Sequence, residues 1–427
     1  MKAVVLAAGK GNRLQPITAT RPKHLIKLGG KPILELCLDA LKASGVTEVV
    51  VVTHYMGDVI RGFFGKGEKL GLKIEYVEQA EMLGTGNAVR VVEPYVDDDF
   101  VLVYGDLLFA PEVVANVVSL FEAENAAAVM AVVPVEKPEN YGIVEVAAGQ
   151  AVKCIVEKPA LSDAPSNLAN AGIYVFSKEI FDKLKQTKAS VRGEWELTDS
   201  LSLLIDEKKT VLAAEILEDD WLDVGRPWDL LEANSWVLKR MEHKIYGTVE
   251  NGAHLVGAVT VAETARIRSG AYIEGPCFID EGSDIGPNCY IRPSTSIGKN
   301  VRVGNACEVK NCIIMDGTHV GHLSYVGDSI VCERCNLAAG TITANLRLDD
   351  EPVKMVVKNE VIDTGRRKLG AVLGDEVKTG INALLMPGVK VGTKGWVGAN
   401  VTVHTDLPAN AVVFLRQNEE RDVKKSK

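Results

Sequence analysis

The sequence predicts two folds in tandem, an α/β domain built on a parallel sheet followed by a triangular coil of short parallel strands. Three observations carry that prediction. Near the N-terminus, apolar runs of strand length alternate with a helical pattern. From Val261 to Val309 an aliphatic residue returns at every sixth position. At 427 residues the chain also exceeds one ordinary core, on a prior of ~150 residues per domain.

The α/β domain is read from its elements in order. Residues 3–7 form a buried apolar strand, 33–43 a helix closed by Gly45, and 48–53 a strand of nearly continuous valine. Further strands are expected at 74–77, 100–104, 128–133 and 173–176. Such alternation implies βαβ units and a parallel sheet covered on both faces. The domain is assigned to residues 1–226. Pro227 opens a linker over 227–247, whose residues 228–244 carry apolar side chains at helical spacing.

The coil is assigned to residues 248–410. Its marker positions are Val261, Ile267, Ile273, Ile279, Ile285, Ile291, Ile297, Val303 and Val309. A helix repeats its buried face about every 3.6 residues and a half-buried strand about every 2, so a period of six belongs to neither. It fits a chain that turns a corner after each short strand, three strands closing a triangle. The phase slips by one to Ile314, Val320 and Val326, blurs over 331–339, and resumes as Leu373, Thr379, Leu385, Val391, Val397 and Val403. The pattern resembles the hexapeptide-repeat left-handed parallel β-helix. An interruption at 344–368 is charged and holds a hairpin of 353–357 with Val361. Residues 411–427 are read as a charged tail, Glu/Lys/Arg-rich and disordered from Arg416.

Composition narrows the function classes. A net charge of −9 argues against nucleic-acid binding, which draws its nonspecific affinity mainly from Lys and Arg. No run of ~18 apolar residues predicts a membrane span, so a cytoplasmic protein is expected. Eight cysteines raise a metal or disulfide reading, most of all Cys332 and Cys335. The repeat supplies another account: Cys277, Cys289 and Cys307 each sit four residues after a repeat aliphatic, the slot for a small side chain inside the coil.

The first chemical site follows the first strand. Leu6-Ala7-Ala8-Gly9-Lys10-Gly11-Asn12-Arg13 places a glycine-rich loop at a strand end, where bare N–H groups can approach phosphate oxygens, with cations at Arg13 and Lys23. The loop lacks the Gly-Lys-Ser/Thr ending of a Walker motif and the third glycine of the dinucleotide fingerprint. With Pro22-Lys23 ten residues on, it resembles the sugar-1-phosphate nucleotidylyltransferases, whose N-terminal fold is a Rossmann-like α/β nucleotidyltransferase domain.

The resemblance continues in that family's order through the first domain. It implies that Leu6, Ala8, Gly9 and Gly11 bind the nucleotide and that Gln79, Gly84 and Thr85 read its base. Tyr104, Gly142, Glu157, Lys158 and Asn170 match sugar-phosphate positions. Asp106, in Tyr104-Gly105-Asp106, and Asp223, in Trp221-Leu222-Asp223, match the two Mg²⁺ ligands. Lys23 and Arg13 are then catalytic, steadying charge on the α-phosphoryl group under attack by an already anionic sugar phosphate. Met82 stands where familiar bacterial members carry glutamine, and Asp223 is similar to the thymidylyltransferases, so UTP and dTTP both stay open. His24, Lys10, Lys27 and Lys31 are read as surface, with a grazing contact to phosphate left open for Lys10.

Within the coil, Gly321 to Asp328 interrupts the repeat with an imidazole, His322, and a phenol, Tyr325. Histidine suits removal of a proton from an attacking amine because its charge changes near neutral pH. This stretch resembles the acetyltransferase half of bifunctional uridylyl/acetyltransferases that make UDP-N-acetylglucosamine. The resemblance implies His322 as base, with Arg292, Lys310, Tyr325, Asn336 and Asn345 around glucosamine-1-phosphate or galactosamine-1-phosphate. It also implies acetyl-CoA along the coil and a homotrimer in which a neighbour completes the site. A lysine expected soon after Asn345 falls on acidic residues, with Lys354 a loose substitute.

The alternative enzyme reading keeps only transfer to glucose- or mannose-1-phosphate and makes the coil an oligomerisation scaffold. A third reading is a regulatory subunit sharing both folds without catalysis. The set His322, Tyr325, Arg292 and Lys310 argues against the former, and intact Lys23, Asp106 and Asp223 against the latter.

Overall fold

The computed structural model describes residues 1–190 and 193–416, which divide into two compact units. The first holds residues 1–11, 21–27 and 31–225; the second holds 12–20, 28–30 and 226 onward.

In the first unit the strand Lys2–Ala7 lies between Glu48–Thr53 and Phe100–Tyr104, parallel to both, with Leu6 level with Val52 and Tyr104. Lys73–Glu78 continues the parallel set. Because side chains alternate along a strand, Ala3, Val5 and Ala7 enter one core with Val49, Val51, Val101 and Val103, while Val4 enters another with Val50, Val52 and Leu102. The sheet is therefore covered on both faces. Helix Ile33–Ala43 lays Leu34, Cys37, Leu38 and Leu41 on the first of these cores, the spacing of a single helix face.

Beyond those four strands the sheet is mixed rather than wholly parallel: Val211–Glu215 still pairs parallel with Ala128–Pro134, but the strands between them do not follow. Leu168–Phe176 runs antiparallel to Phe100–Tyr104 and Ala128–Pro134, and Gly142–Val146 with Val152–Glu157 forms an antiparallel hairpin. From Ala128–Pro134 to Leu168–Phe176 the strands are separated only by single turns of 3-10 helix. Without a crossover helix the chain has no short route back to a parallel start, so it returns antiparallel.

The second unit is a left-handed parallel β-helix whose three faces hold eight, nine and eight strands among the described residues. All nine repeat aliphatics from Val261 to Val309 are fully buried, at 0% exposure, and form one core column. Cys277, Cys289 and Cys307 lie inside with them, buried, as unpaired thiols. The slip in phase has a local origin. Ile279 pairs with Ile297 one 18-residue coil later, but Ile297 pairs with Ile314 and Ile314 with Val331, coils of 17. Each short coil loses its residue at the same corner, once at Lys310-Asn311 and once at Gly327-Asp328, where Asn311 and Asp328 take positive φ of 49° and 48°. The blur expected at 331–339 is not a break, since Val331, Leu337 and Thr343 all face the core.

After Ile342–Thr343 the chain leaves the coil, forms the antiparallel hairpin Lys354–Val357 with Glu360–Asp363, and returns at Val372–Leu373 beside Ile330–Val331. Two boundaries differ from expectation. The helix spans Pro227–Lys239, with Arg240 at its C-terminal cap stacking on Trp236 at 3.6 Å and donating to its carbonyl at 3.2 Å, and Lys244–Ile245 is already a coil strand. Nor is it a free linker: the buried Asn234 side chain accepts from Ser296 Oγ at 2.6 Å and donates to the Ser294 carbonyl at 3.0 Å. Val412–Val413, read as tail, adds a strand to the coil. The remainder of the expected tail, 417–427, lies outside the described residues. No helix of the described chain is long and apolar enough to cross a membrane.

Candidate functional site

The first candidate site sits at the carboxyl ends of the parallel strands, where α/β sheets open a crevice. The ends of Lys2–Ala7 and Phe100–Tyr104 are tied by Gly105 N–H donating to the Leu6 carbonyl at 2.9 Å. A Cβ on Gly105 would stand 3.0 Å from that oxygen, so the close approach needs glycine. Past Leu6 and Ala8 the backbone reaches Gly9, which is exposed with open space on its Cβ side, and Gly11 at φ 64°. Arg13 is exposed in the short turn Asn12–Leu14, which belongs to the second unit.

Two aspartates are brought together by strand pairing. Trp221–Asp223 pairs antiparallel with Leu107–Phe109, so Asp223 is opposite Leu107, and Val224 N–H donates to the Asp106 carbonyl at 3.3 Å. The site of the implied Mg²⁺ thus offers two carboxylates on neighbouring strand ends. That donor set fits an ion that keeps waters and shares phosphate oxygens rather than an all-protein cage.

Asp106 also forms an ion pair with Lys23, whose side chain is only 6% exposed. Burial pushes the Asp106 carboxyl up; the Lys23 charge and hydrogen bond, with a smaller contribution from His24, outweigh this and hold it below the ordinary value. His24, read as surface, is buried, and its Nδ1 has no hydrogen-bond partner. Burial lowers the imidazole to about 4, against an upward pull from Asp106 and with a further push down from Lys23. Its place between Lys23 and the apolar Leu25-Ile26 was the available sign in the sequence.

The residues expected to read the base form a second cluster in this unit. Gln79 is buried and its Nε2 donates to the Gly84 carbonyl at 3.1 Å and to Asn87 Oδ1 at 2.8 Å. Gly84 takes φ 103°, and a Cβ there would be 2.6 Å from the Trp195 carbonyl oxygen. The Thr85 hydroxyl accepts from Leu197 N–H at 3.1 Å at the start of helix Leu197–Asp206. Trp195 and Asn87 carried no motif and went unread.

Around the sugar positions, Asn170 Nδ2 donates to Tyr174 Oη at 2.6 Å, and Tyr174 meets Tyr104 at 3.3 Å. Burial raises both phenols, Tyr174 to about 12, so they stay protonated hydrogen-bonding groups. Gly142 is level with Glu157, and a Cβ on it would come 2.8 Å from Glu157 Oε2. Lys158 is exposed at φ 47°, its N–H donating to the Tyr141 carbonyl at 2.9 Å. Tyr174, inward-facing in a strand, was missed because it read as core.

The second candidate site is at the shortened corner of the coil. A cleft of 540 Å³ there is bordered by Arg292, Lys310, Asn311 and Asp328, with Glu232 and Ser235 from helix Pro227–Lys239 and Arg366 from the excursion. Asp328, unassigned in the sequence reading, is buried and organises the corner. Its oxygens accept from Lys310 Nζ at 3.2 Å, Asn311 Nδ2 at 2.8 Å and Asn345 Nδ2 at 2.5 Å. Asn345 Nδ2 also meets Tyr325 Oη at 3.0 Å. The phenol folds back over Gly327, where a Cβ would lie 2.4 Å from Tyr325 Oη. Burial, then Asp328, raises the Tyr325 phenol.

The structure does not bring all the predicted residues into that cleft. His322 and Asn336 are exposed on the second face, where His322 pairs with Asn305 and Asn336 with His319. They do not line the corner cleft, nor a second groove of 530 Å³ that contains Tyr290, Glu308, Leu323 and Tyr325. Lys354, the loose substitute, is exposed on the hairpin and is absent from the cleft wall.

Fold and site together define a nucleotidyltransferase continued by a β-helix that has a cleft of its own bordered by Arg292, Lys310 and Arg366. Residues 2–240 match the Nucleotidyl transferase family and residues 273–386 the GMPPB C-terminal domain. The "Bifunctional protein GlmU" of Methanocaldococcus jannaschii is 42% identical over 416 residues, covering 97% of this chain and 98% of that one. The "Bifunctional sugar-1-phosphate nucleotidylyltransferase/acetyltransferase" of Sulfurisphaera tokodaii is 39% identical over 410 residues, covering 95% and 98%. Among solved structures, a putative glucose-1-phosphate thymidylyltransferase from Bacillus anthracis aligns with a TM-score of 0.50 at 30% identity, covering 55% of this chain and 94% of that one. A UDP-glucose pyrophosphorylase complexed with UDP-glucose aligns at 0.52 and 27%, covering 56% and 98%. The chain belongs to the family of bifunctional sugar-1-phosphate nucleotidylyltransferase/acetyltransferases. It is an enzyme, a transferase with both activities on one polypeptide.

Proposed function

We propose that this chain acetylates glucosamine-1-phosphate from acetyl-CoA and then transfers uridylyl from UTP to the N-acetylated sugar phosphate, releasing pyrophosphate. The observation that carries the reading is the strand pairing that aligns Asp223 beside Asp106 while Lys23 reaches Asp106 from another segment. Asp106 and Asp223 would hold Mg²⁺, which supplies charge neutralisation on the nucleotide phosphates. Lys23 and Arg13 stabilise negative charge on the α-phosphoryl group, and Gly9 and Gly11 leave room for it to approach. Gln79 and Thr85 hold the base-reading loop, and Asn170 and Lys158 would contact the sugar phosphate; glycine is needed at 142 and 172, where a Cβ would come 2.8 Å from Glu157 Oε2 and 2.8 Å from the Tyr104 ring.

In the acetyl step His322 takes the proton from the attacking amine, and Arg292, Lys310, Tyr325, Asn336 and Asn345 hold the sugar phosphate. The distribution of these residues over two faces of one coil supports a homotrimer in which a second copy faces the corner cleft with its own His322. The reading includes a cytoplasmic protein. A second base reading, dTTP, is favoured by Asp223 in Trp221-Leu222-Asp223.

The test is direct. With UTP, Mg²⁺ and N-acetylglucosamine-1-phosphate, pyrophosphate should appear and EDTA should abolish it; acetyl-CoA plus glucosamine-1-phosphate should release CoA with EDTA present. A panel of nucleoside triphosphates and sugar phosphates, scored by kcat/KM, ranks the substrates. No pyrophosphate from any pair removes the first activity, and no CoA from any amino sugar phosphate removes the second.

A further inference from the structure

The corner cleft of the β-helix brings three cations together, and each has a carboxylate partner. Lys310 meets Asp328 at 3.2 Å, Arg292 meets Glu308 at 2.9 Å, and Arg366 meets Glu232 at 2.6 Å. The three partners differ in exposure. The Asp328 side chain is 5% exposed and has two further donors, so it cannot leave without abandoning buried polar groups. Glu232 is 60% exposed, lies on the rim and has a single cationic partner among its described ion pairs. An exposed pair of this kind is worth only about 0–1 kcal/mol, so an anion that reaches the cleft cations can displace it. Arg366 itself is 28% exposed, with a planar fork that suits two oxygens of one phosphate.

We propose that Arg366 is a phosphate-binding residue of the acetyl-transfer site, released from Glu232 when a sugar phosphate enters the cleft. The proposal rests on the reading of that cleft as an amino-sugar phosphate site. It supplies a third cation beside Arg292 and Lys310 that neither the repeat nor the spacing after Asn345 revealed, because Arg366 lies beyond a hairpin and returns to the cleft only through the fold. A phosphate dianion then exchanges one weak exposed ion pair for a charge-assisted contact. Glu232 acts as its competitor, so the two side chains are predicted to affect affinity in opposite directions.

Calorimetric titration of the full chain with glucosamine-1-phosphate tests this. Arg366→Gln should weaken binding at least tenfold, Arg366→Lys by less because a point charge remains, and Glu232→Gln should tighten it severalfold. The thermal midpoint of each variant checks that the excursion still folds. An unchanged Kd in folded Arg366→Gln overturns the proposal, and so does a failure of both Glu232→Gln and Glu232→Ala to tighten binding. Release of CoA by the wild type is measured alongside. If the Kd pattern holds and no CoA appears, the anion site stands and the acetyl-transfer reading falls.

Discussion

Lys23 and Asp106 pair directly although 83 positions separate them, the lysine side chain 6% and the aspartate 27% exposed. Replacing Lys23 by Met strands a mostly buried carboxylate. The loss in stability is expected at about 2 kcal/mol, below the roughly 3–5 usual for a fully buried pair because Asp106 retains some solvent. Nucleotidylyl transfer should fall at least ~100-fold, the scale of removing one stabilising donor. Urea unfolding and pyrophosphate release measure the two effects; an unaltered kcat would leave Lys23 a structural role only. Asp106, held below its usual value, contributes stability that is present above the ordinary carboxylate range and is lost only as pH falls through the lowered folded value.

His24 gives a separate acid-limb signature. Its imidazole is neutral when folded and titrates near 4, against 6.5 when exposed. The unfolded chain therefore binds the extra proton between those values, and stability drops as pH falls from 6.5 to about 4, then levels. At about 1.36 kcal/mol per unit the loss is on the order of 3 kcal/mol. Unfolding free energies across that window should fall for the wild type and flatten for His24→Gln; parallel curves would refute a buried neutral imidazole.

Gly84 is expected to resist any side chain. Its φ of 103°, and the Trp195 carbonyl oxygen 2.6 Å from the place a Cβ would occupy, leave Gly84→Ala no relaxed conformation. A displacement costing about 1–3 kcal/mol would loosen the contact from Gln79 and raise the nucleotide KM by about tenfold or more. Steady-state kinetics with variable UTP reads this, and a KM within about twofold of wild type would show that the loop takes no part in binding.

His322 and Tyr325 should separate by kinetic parameter. His322→Ala is expected to lower kcat for acetyl transfer by ~100-fold or more, the usual loss of a general base. Tyr325→Phe removes the contact with Asn345 and should raise the KM for glucosamine-1-phosphate severalfold with little change in kcat. Because the phenol titrates above its ordinary value, no alkaline loss below pH ~10 should trace to Tyr325. A collapse in kcat for Tyr325→Phe would make the phenol a participant in chemistry.

Most single elements were legible because they rest on local periodicity. Strand Glu48–Thr53 and helix Ile33–Ala43 are where their apolar spacing puts them, and the six-residue period named the β-helix together with its inward column. The phase slip was visible too, though its meaning was not: one residue lost at a corner looks the same in sequence as an irregular repeat. Strand direction escaped because pairing between Leu168–Phe176 and Phe100–Tyr104 depends on chain connections rather than on either segment's composition.

Sequence alone therefore decided what is periodic or chemically distinctive: the tandem folds, the glycine loop, the aspartates and the cations of a resembling family. Only the tertiary structure decided which of them meet. Asp223 comes beside Asp106 through a short antiparallel pairing, and Asp328 gathers Lys310, Asn311 and Asn345 at a corner shortened by one residue. Arg366 joins that corner only after a hairpin brings the chain back. Local preference is a property of a few neighbouring residues, whereas a binding site is set by packing and hydrogen bonds between segments far apart along the chain.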